Sequence, residues 1–137
     1  AKALHLASNT SSIINSKSIS RNGGITSFRG FVKIEPNVRD VKSKTVCKAL
    51  ILDEKSVSNT YPAISAIGPN CEVSHEATVS KISEEQIFYL QSRGIEKNEA
   101  EAIIVNGFIN PLVKELPFEY AVELNQLIRM DMEGATA

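Results

Sequence analysis

Cys71-Glu72-Val73-Ser74-His75-Glu76-Ala77-Thr78-Val79-Ser80-Lys81-Ile82-Ser83-Glu84-Glu85-Gln86-Ile87 is the stretch in which the chain changes character. Its first half alternates. Cys71, Val73, His75, Ala77 and Val79 share one face, and Glu72, Ser74, Glu76, Thr78 and Ser80 share the other. Side chains in a strand alternate sides, so residues 71–79 are expected as a strand whose odd face is buried, histidine included. The second half begins a helix. Ser83 followed three residues later by Gln86 forms a capping box, so a helix over 84–93 is expected. It turns Ile87, Leu90 and Phe88 toward the core and stops at Gly94.

Upstream of this junction Ser, Thr, Asn, Val and Ile dominate and no helical period holds. The pattern predicts further short strands over 4–7, 12–16, 26–34, 45–52 and 63–67. Turn signals separate them at Arg21-Asn22-Gly23-Gly24, Glu35-Pro36-Asn37, Asp53-Glu54-Lys55 and Gly68-Pro69-Asn70. The turns recur irregularly without an exact repeat, so any solenoid here is degenerate. The strand over 45–52 has apolar residues on both faces, Cys47, Ala49 and Ile51 against Val46, Leu50 and Leu52, as in a strand covered on both sides. A run of strands without a closing partner leaves open edges. The first strand is therefore expected to pair with upstream chain or with another subunit, and a homodimer joining two edges would satisfy it.

Downstream, Glu, Leu, Ala and Ile recur at helical spacing. A second helix is expected over 97–106, with Ala100, Ile103, Ile104 and Gly107 on its face. Phe108-Ile109-Asn110-Pro111 interrupts it, a short helix follows over 112–116, and Pro117 opens a last helix over 118–132. Tyr120, Val122, Leu124, Leu127, Ile128 and Met130 of that helix span an arc too wide for a small helical interior. The expected fold class is α+β, with a β part over 1–82 and a helical part over 83–137.

Composition narrows the function. The chain has 137 residues, 42% of them hydrophobic, enough for one packed domain. Fifteen basic and 16 acidic side chains leave a net charge of −1, which gives no basic field for nucleic acid. The longest apolar run, Ala102-Ile103-Ile104-Val105, is far below the ~20 residues of a membrane span. The chain opens without Met, inside an expected strand, and reads as a fragment or a processed product. Two cysteines, Cys47 and Cys71, without CxxC or zinc spacing, point to reduced thiols in a cytoplasmic or organelle-stromal compartment.

Several motifs stand in one order along nearly the whole chain. They are Ser16-Lys17-Ser18-Ile19-Ser20, Arg29-Gly30 with Val32-Lys33-Ile34, Asn59-Thr60-Tyr61-Pro62, Ser74-His75-Glu76-Ala77-Thr78, Tyr89 with Ser92-Arg93-Gly94, Ile104-Val105-Asn106-Gly107-Phe108, Leu116-Pro117-Phe118-Glu119-Tyr120-Ala121 and Met132-Glu133-Gly134. Together they resemble the C-terminal part of SufB, in the SufB/SufD family of the SUF iron–sulfur cluster assembly system. The resemblance implies the end of a right-handed parallel β-helix followed by a small helical domain. It implies a scaffold rather than an enzyme, paired with SufD or a second SufB copy through the β-helix. It also implies that the helical domain docks the ATPase SufC, around Phe108, Pro111, Leu116, Pro117 and Phe118. This sequence has no Walker-type glycine loop, in keeping with ATP hydrolysis residing in SufC. His75-Glu76 and Asn59-Thr60-Tyr61-Pro62 favour SufB over SufD.

Cys47 and the pair His75-Glu76 match positions where the family handles a nascent iron–sulfur cluster. Soft thiolate ligates iron or accepts sulfane sulfur, and weaker histidine or carboxylate ligation eases release. In a flattened solenoid the strands carrying Cys47 and His75 are neighbours about 4.8 Å apart. His75 and Glu76 point to opposite faces of a regular strand, so both reach Cys47 only through a bulge. Each residue also has a plain reading. A strand cysteine is commonly a small buried hydrophobe, a histidine on an apolar face is a hydrogen-bonded core residue, and a glutamate is a solvated charge. Cys71 reads as core, and His5 has nothing to recommend it. The rival readings are a SufD-like partner subunit and a structural β-helix segment without a site. A polysaccharide-cleaving β-helix enzyme ranks low, because the strands carry few paired carboxylates.

Overall fold

The computed structural model describes residues 1–66 and 68–132. Ile67, the end of one expected strand, and residues 133–137, with the last residues of the Met132-Glu133-Gly134 motif, lie outside the described residues. The chain divides into two compact units, Ala1–Ser80 and a second that begins at Lys81.

The first unit holds six strands, β1 (Lys2–His5), β2 (Ser11–Ser20), β3 (Ile25–Ile34), β4 (Val41–Ile51), β5 (Val57–Ala66) and β6 (Cys71–Lys81). They form two three-stranded sheets, β1-β3-β5 and β2-β4-β6, so consecutive strands alternate between sheets. Pairing is parallel, with Ser11 opposite Lys42 and Ile25 opposite Val57. Each strand therefore bonds the strand two along, roughly thirty residues away in sequence. That spacing is the repeat that the uneven turn intervals concealed.

β5 corrects the expected strand over 63–67. It starts at Val57 and runs through Pro62. Proline lacks a donor for the ladder, but β5 lies at the end of its sheet, where one side of the strand needs no partner. β4 shows the expected odd face, with Val41, Ser43, Thr45, Cys47, Ala49 and Ile51 all buried. Its even face is covered only near its end, at Leu50, while Lys42, Lys44 and Lys48 are exposed. The odd face of β6 is half-buried at Cys71, Val73 and His75 but exposed at Ala77 and Val79, because β6 too ends its sheet among the described residues.

Positive-φ residues turn the chain between strands. Asn22 (φ 55°) and Gly23 (φ 74°) follow each other, and the Gly24 N–H closes the turn on the Arg21 carbonyl at 2.9 Å. Asn9, Asp40 and Asn70, all near φ +57°, occupy equivalent corners of successive layers. The Asn9 N–H donates to the Arg39 carbonyl, and Asn70 Nδ2 donates to Asp40 Oδ1 at 3.2 Å. At the other end, Asp53 ties two turns together. It accepts from the N–H groups of Lys55 and Ser56, from the Ser56 hydroxyl, and from the Gly23 N–H.

Those bonds, the Ser56 hydroxyl foremost, pull the Asp53 pKa down to about 2. A depressed carboxylate stabilises the fold above its unfolded pKa and loses that contribution as pH falls through the folded value. Asp53→Asn should therefore melt below the parent at pH 7, and the gap should close between about pH 4 and about pH 2. Thermal melts of both proteins across that range would read it. A gap constant with pH would refute the assignment.

The interior between the sheets is part aliphatic and part polar. Ile34, Val38 and Val41 form the buried apolar cluster, with Cys71 and Val73 packed against it, which makes Cys71 a core residue as read. His5, which nothing in the sequence singles out, is buried in this polar part. Thr10 donates its hydroxyl proton to the Ala7 carbonyl, so the Nδ1–H of His5 donates to Thr10 at 2.7 Å. In a neutral ring Nε2 then accepts from Ser12, whose hydroxyl lies 2.9 Å from that of Ser43. A single directed chain of hydrogen bonds thus satisfies groups that would otherwise be costly to bury.

The second unit holds α1 (Glu84–Ser92), α2 (Lys97–Val113) and α3 (Phe118–Met132). Ser83 Oγ accepts from the Gln86 N–H, the first half of the expected box. α1 ends in a Schellman motif. The Ile95 N–H reaches the Leu90 carbonyl and the Gly94 N–H reaches that of Gln91, with Gly94 at φ +85°. Ile87 is buried as expected, but Phe88 is exposed.

α2 corrects the break at 108–111 and the short helix over 112–116. It continues past Gly107 and carries Pro111 within its last turn. There the ring costs one internal bond, and the Asn110 carbonyl is met by the Lys114 N–H at 3.1 Å. Ala100, Val105 and Val113 are its buried residues, whereas Ile103 points outward. α3 has the expected span and no buried residue, so its wide apolar arc (Tyr120, Val122, Leu127) stays largely exposed.

Candidate functional site

β4 and β6 lie side by side, which brings Cys47 and His75 together although 28 residues separate them. Cys47 Sγ is 3.6 Å from His75 Nε2. Both stand on the inward faces of their strands; Cys47 is 6% exposed and His75 half-buried. The arrangement follows from two regular periods. Odd residues of β4 and odd residues of β6 share the interior, and the alternation of strands between sheets makes these two strands neighbours.

Glu76 does not join them. β6 runs unbroken through it, so its carboxylate leaves by the outer face and pairs with Lys44 Nζ at 3.0 Å, between two exposed side chains. Among the described residues, no three of His, Cys, Asp and Glu converge closely enough to hold a metal ion. The pair supplies one soft and one borderline donor, a donor set suited to iron or zinc but short of a full coordination shell.

Burial pushes the Cys47 thiol pKa up, and a hydrogen bond from the Thr60 side chain works the other way. Thr60 belongs to β5, in the facing sheet. Ser16, the register partner of Cys47 on β2, lines with it a void of about 10 Å³. That is about the least space that holds one water molecule. The surroundings of the sulfur are thus hydroxyls and an imidazole as well as carbon. Sequence reading did not select Thr60 as a site residue, although it stands inside the quoted motif Asn59-Thr60-Tyr61-Pro62.

The residues named for partner docking all fall in the second unit. Phe108 and Pro111 are on α2, Leu116 and Pro117 in the turn after it, and Phe118, 79% exposed, opens α3. No helix among the described residues is long and apolar enough to cross a membrane.

Comparison with known proteins gives a family. Residues 1–108 match the model for the SufBD core domain of SUF-system FeS cluster assembly. Over 135 residues, 98% of this chain, the sequence is 53% identical to the iron–sulfur cluster assembly protein SufB of Bacillus subtilis, covering 29% of that protein. It has the same identity over the same share to SufBD family proteins of Mycobacterium leprae, where it covers 16%, and Staphylococcus haemolyticus, where it covers 29%. The chain therefore spans less than a third of these curated relatives. The motifs that suggested the resemblance, the extent of the core-domain match and the level of identity agree, and the chain belongs to the SufBD family of iron–sulfur cluster assembly proteins, with a SufB-like sequence.

Proposed function

We propose that this chain is the C-terminal portion of a scaffold that holds a nascent iron–sulfur cluster as cargo, with Cys47 and His75 as two of its ligands. The contact of 3.6 Å between Sγ and Nε2 carries this reading, because it joins a thiol and an imidazole distant in sequence. Thiolate supplies the strong bond to iron, and imidazole a weaker one that lets the cluster leave. Two donors do not complete a cluster, so the remaining ligands come from outside this chain. Glu76, paired with Lys44 on the outer face, stands apart from these two donors, and this reading leaves it out of the ligand set.

In this reading the alternating sheets of the first unit are the last coils of a right-handed parallel β-helix. Their ends meet SufD, or a second SufB copy, and the cluster forms beside that contact. The helical unit docks SufC, which hydrolyses ATP, through Phe108, Pro111, Leu116, Pro117 and Phe118. The exposed apolar arc of α3 supports a docking role, because exposed apolar patches of this kind mark interaction sites. The assembly works in the cytoplasm or a plastid-type stroma.

The test is reconstitution of the full-length protein with ferrous iron and sulfide, read by visible absorption and bound iron. Cys47→Ser and His75→Ala should each lower cluster loading about tenfold, and Glu76→Gln should leave it near the parent level. Normal loading in both Cys47→Ser and His75→Ala would sink the assignment.

A further inference from the structure

We propose that Asn22 is a site of covalent modification, at which the Gly23 nitrogen attacks the side-chain amide of Asn22 and ammonia leaves. The chain holds two Asn-Gly dipeptides, Asn22-Gly23 and Asn106-Gly107. Glycine has no Cβ to shield its nitrogen, so this dipeptide closes a five-membered ring more readily than asparagine before a larger residue. All four residues are exposed, so solvent access does not separate the two dipeptides. Their backbones differ. Asn106-Gly107 lies in the interior of α2, where the helical ladder occupies the Gly107 N–H and fixes the Asn106 dihedrals. Asn22 (φ 55°) and Gly23 (φ 74°) stand in the turn between β2 and β3, outside any strand or helix. The Gly23 N–H reaches Asp53 Oδ2 at 3.5 Å, longer than the ordinary range of about 2.7–3.2 Å. A Cβ built on Gly23 would meet only the Lys55 Cβ, at 3.8 Å, so the turn has open space in which to rotate.

The step needs no oxidant or reductant. The Gly23 nitrogen gives its proton to solvent base and bonds to the side-chain carbonyl carbon of Asn22. The bond from that carbon to the amide nitrogen breaks, and the nitrogen takes a proton from water and leaves as ammonia. Water then opens the ring at either carbonyl, giving aspartate or isoaspartate at position 22. The sum is one water in and one ammonia out. Isoaspartate carries the main chain through one more carbon atom. That displaces the Gly23 N–H from Asp53 or the Gly24 N–H from the Arg21 carbonyl. Either product also adds a negative charge on the residue next to the one that the Asp53 carboxylate holds. The tie between the turns at 21–24 and 53–56 therefore loosens as the protein ages.

The experiment incubates the full-length protein at mildly alkaline pH, in native buffer and in parallel in urea, and follows both dipeptides by peptide mass spectrometry. In native buffer the peptide holding Asn22 should show the amide-to-acid mass gain at least about tenfold faster than the peptide holding Asn106. The reason is that a mid-helix site reacts only while its helix is open. In urea the ladder is gone, and the two rates should agree within about threefold. Isoaspartate at position 22 is read by its methylation with protein isoaspartyl methyltransferase. Equal native rates at the two sites, or a slower rate at Asn22, overturn the proposal. A mass gain at Asn22 without isoaspartate overturns it too, because direct hydrolysis rather than ring closure then forms the acid. Modified protein, separated by its added charge, should melt below the unmodified form, and equal melting temperatures overturn the loosening of the two turns.

Discussion

Ile34→Ala is expected to destabilise the protein by about 2–5 kcal/mol, the range for truncating a fully buried aliphatic side chain. Ile34 is 2% exposed and packs with Val38 and Val41 in a buried apolar cluster of the β unit. Elsewhere the buried residues of this unit include His5, Ser20, Ser43, Thr45 and Ser56, whose hydrogen bonds satisfy them but replace water bonds with little net gain. Val32, Ala49, Leu50 and Ile51 are buried as well, so the cluster is one part of the apolar interior of this unit. Domains of this size are stable by only about 5–15 kcal/mol, so the loss is a large fraction of the total. Urea unfolding would show a lower midpoint at unchanged slope. Ile34→Val, which removes one methylene, should cost about 0.5–1.5 kcal/mol. Equal midpoints for Ile34→Ala and the parent would mean that the cluster does not hold this unit together.

Gly68→Ala is the second. An added Cβ would collide with the Val38 carbonyl oxygen and stand 3.2 Å from Cys71 Sγ. The first contact is against backbone, so the chain must move rather than a side-chain tip. Val38 belongs to the same apolar cluster, and the shift is transmitted straight into it. The expected cost is about 1–3 kcal/mol, by the same physics as overfilling a packed interior. Gly94→Ala offers a contrast, because no atom lies within 4 Å of its added Cβ and only the φ of +85° opposes it. A Gly68→Ala protein that melts with the parent would show that the corner yields freely.

What could be read beforehand was what depends on local period. The alternation of residues 71–79, the Ser83 cap, the Gly94 stop and the span of α3 are each set by neighbours within a few positions. The meeting of Cys47 with His75 was legible only with the resemblance, which implied strands that return to the same sheet; the alternation of faces supplied the rest. The separation of Glu76 followed from the same alternation. Features fixed by distant partners were not legible. His5 looks incidental until β2 and β4 bring Ser12 and Ser43 beside it. The corners at Asn9 and Asp40 carry no glycine or proline of their own to announce them. Pro111 was read as a break and Pro62 was left outside the expected strand over 63–67, and both are tolerated by place, one in a last helical turn and one at a sheet end. Thr60 stayed hidden because its partner lies across the interior, in the other sheet.

The pairing of each strand with the strand two along also bears on how the molecule reaches its native state. Every ladder in the β unit, such as Ser11 with Lys42, must close a loop of about thirty residues before any bond rewards it, whereas the helices gain theirs within four residues. The helical unit should acquire its secondary structure early, while the sheets wait on a slow search. During that wait the half-formed ladders have unpaired strand edges, and it is then, rather than in the finished protein, that this chain is most exposed to pairing with the wrong neighbour.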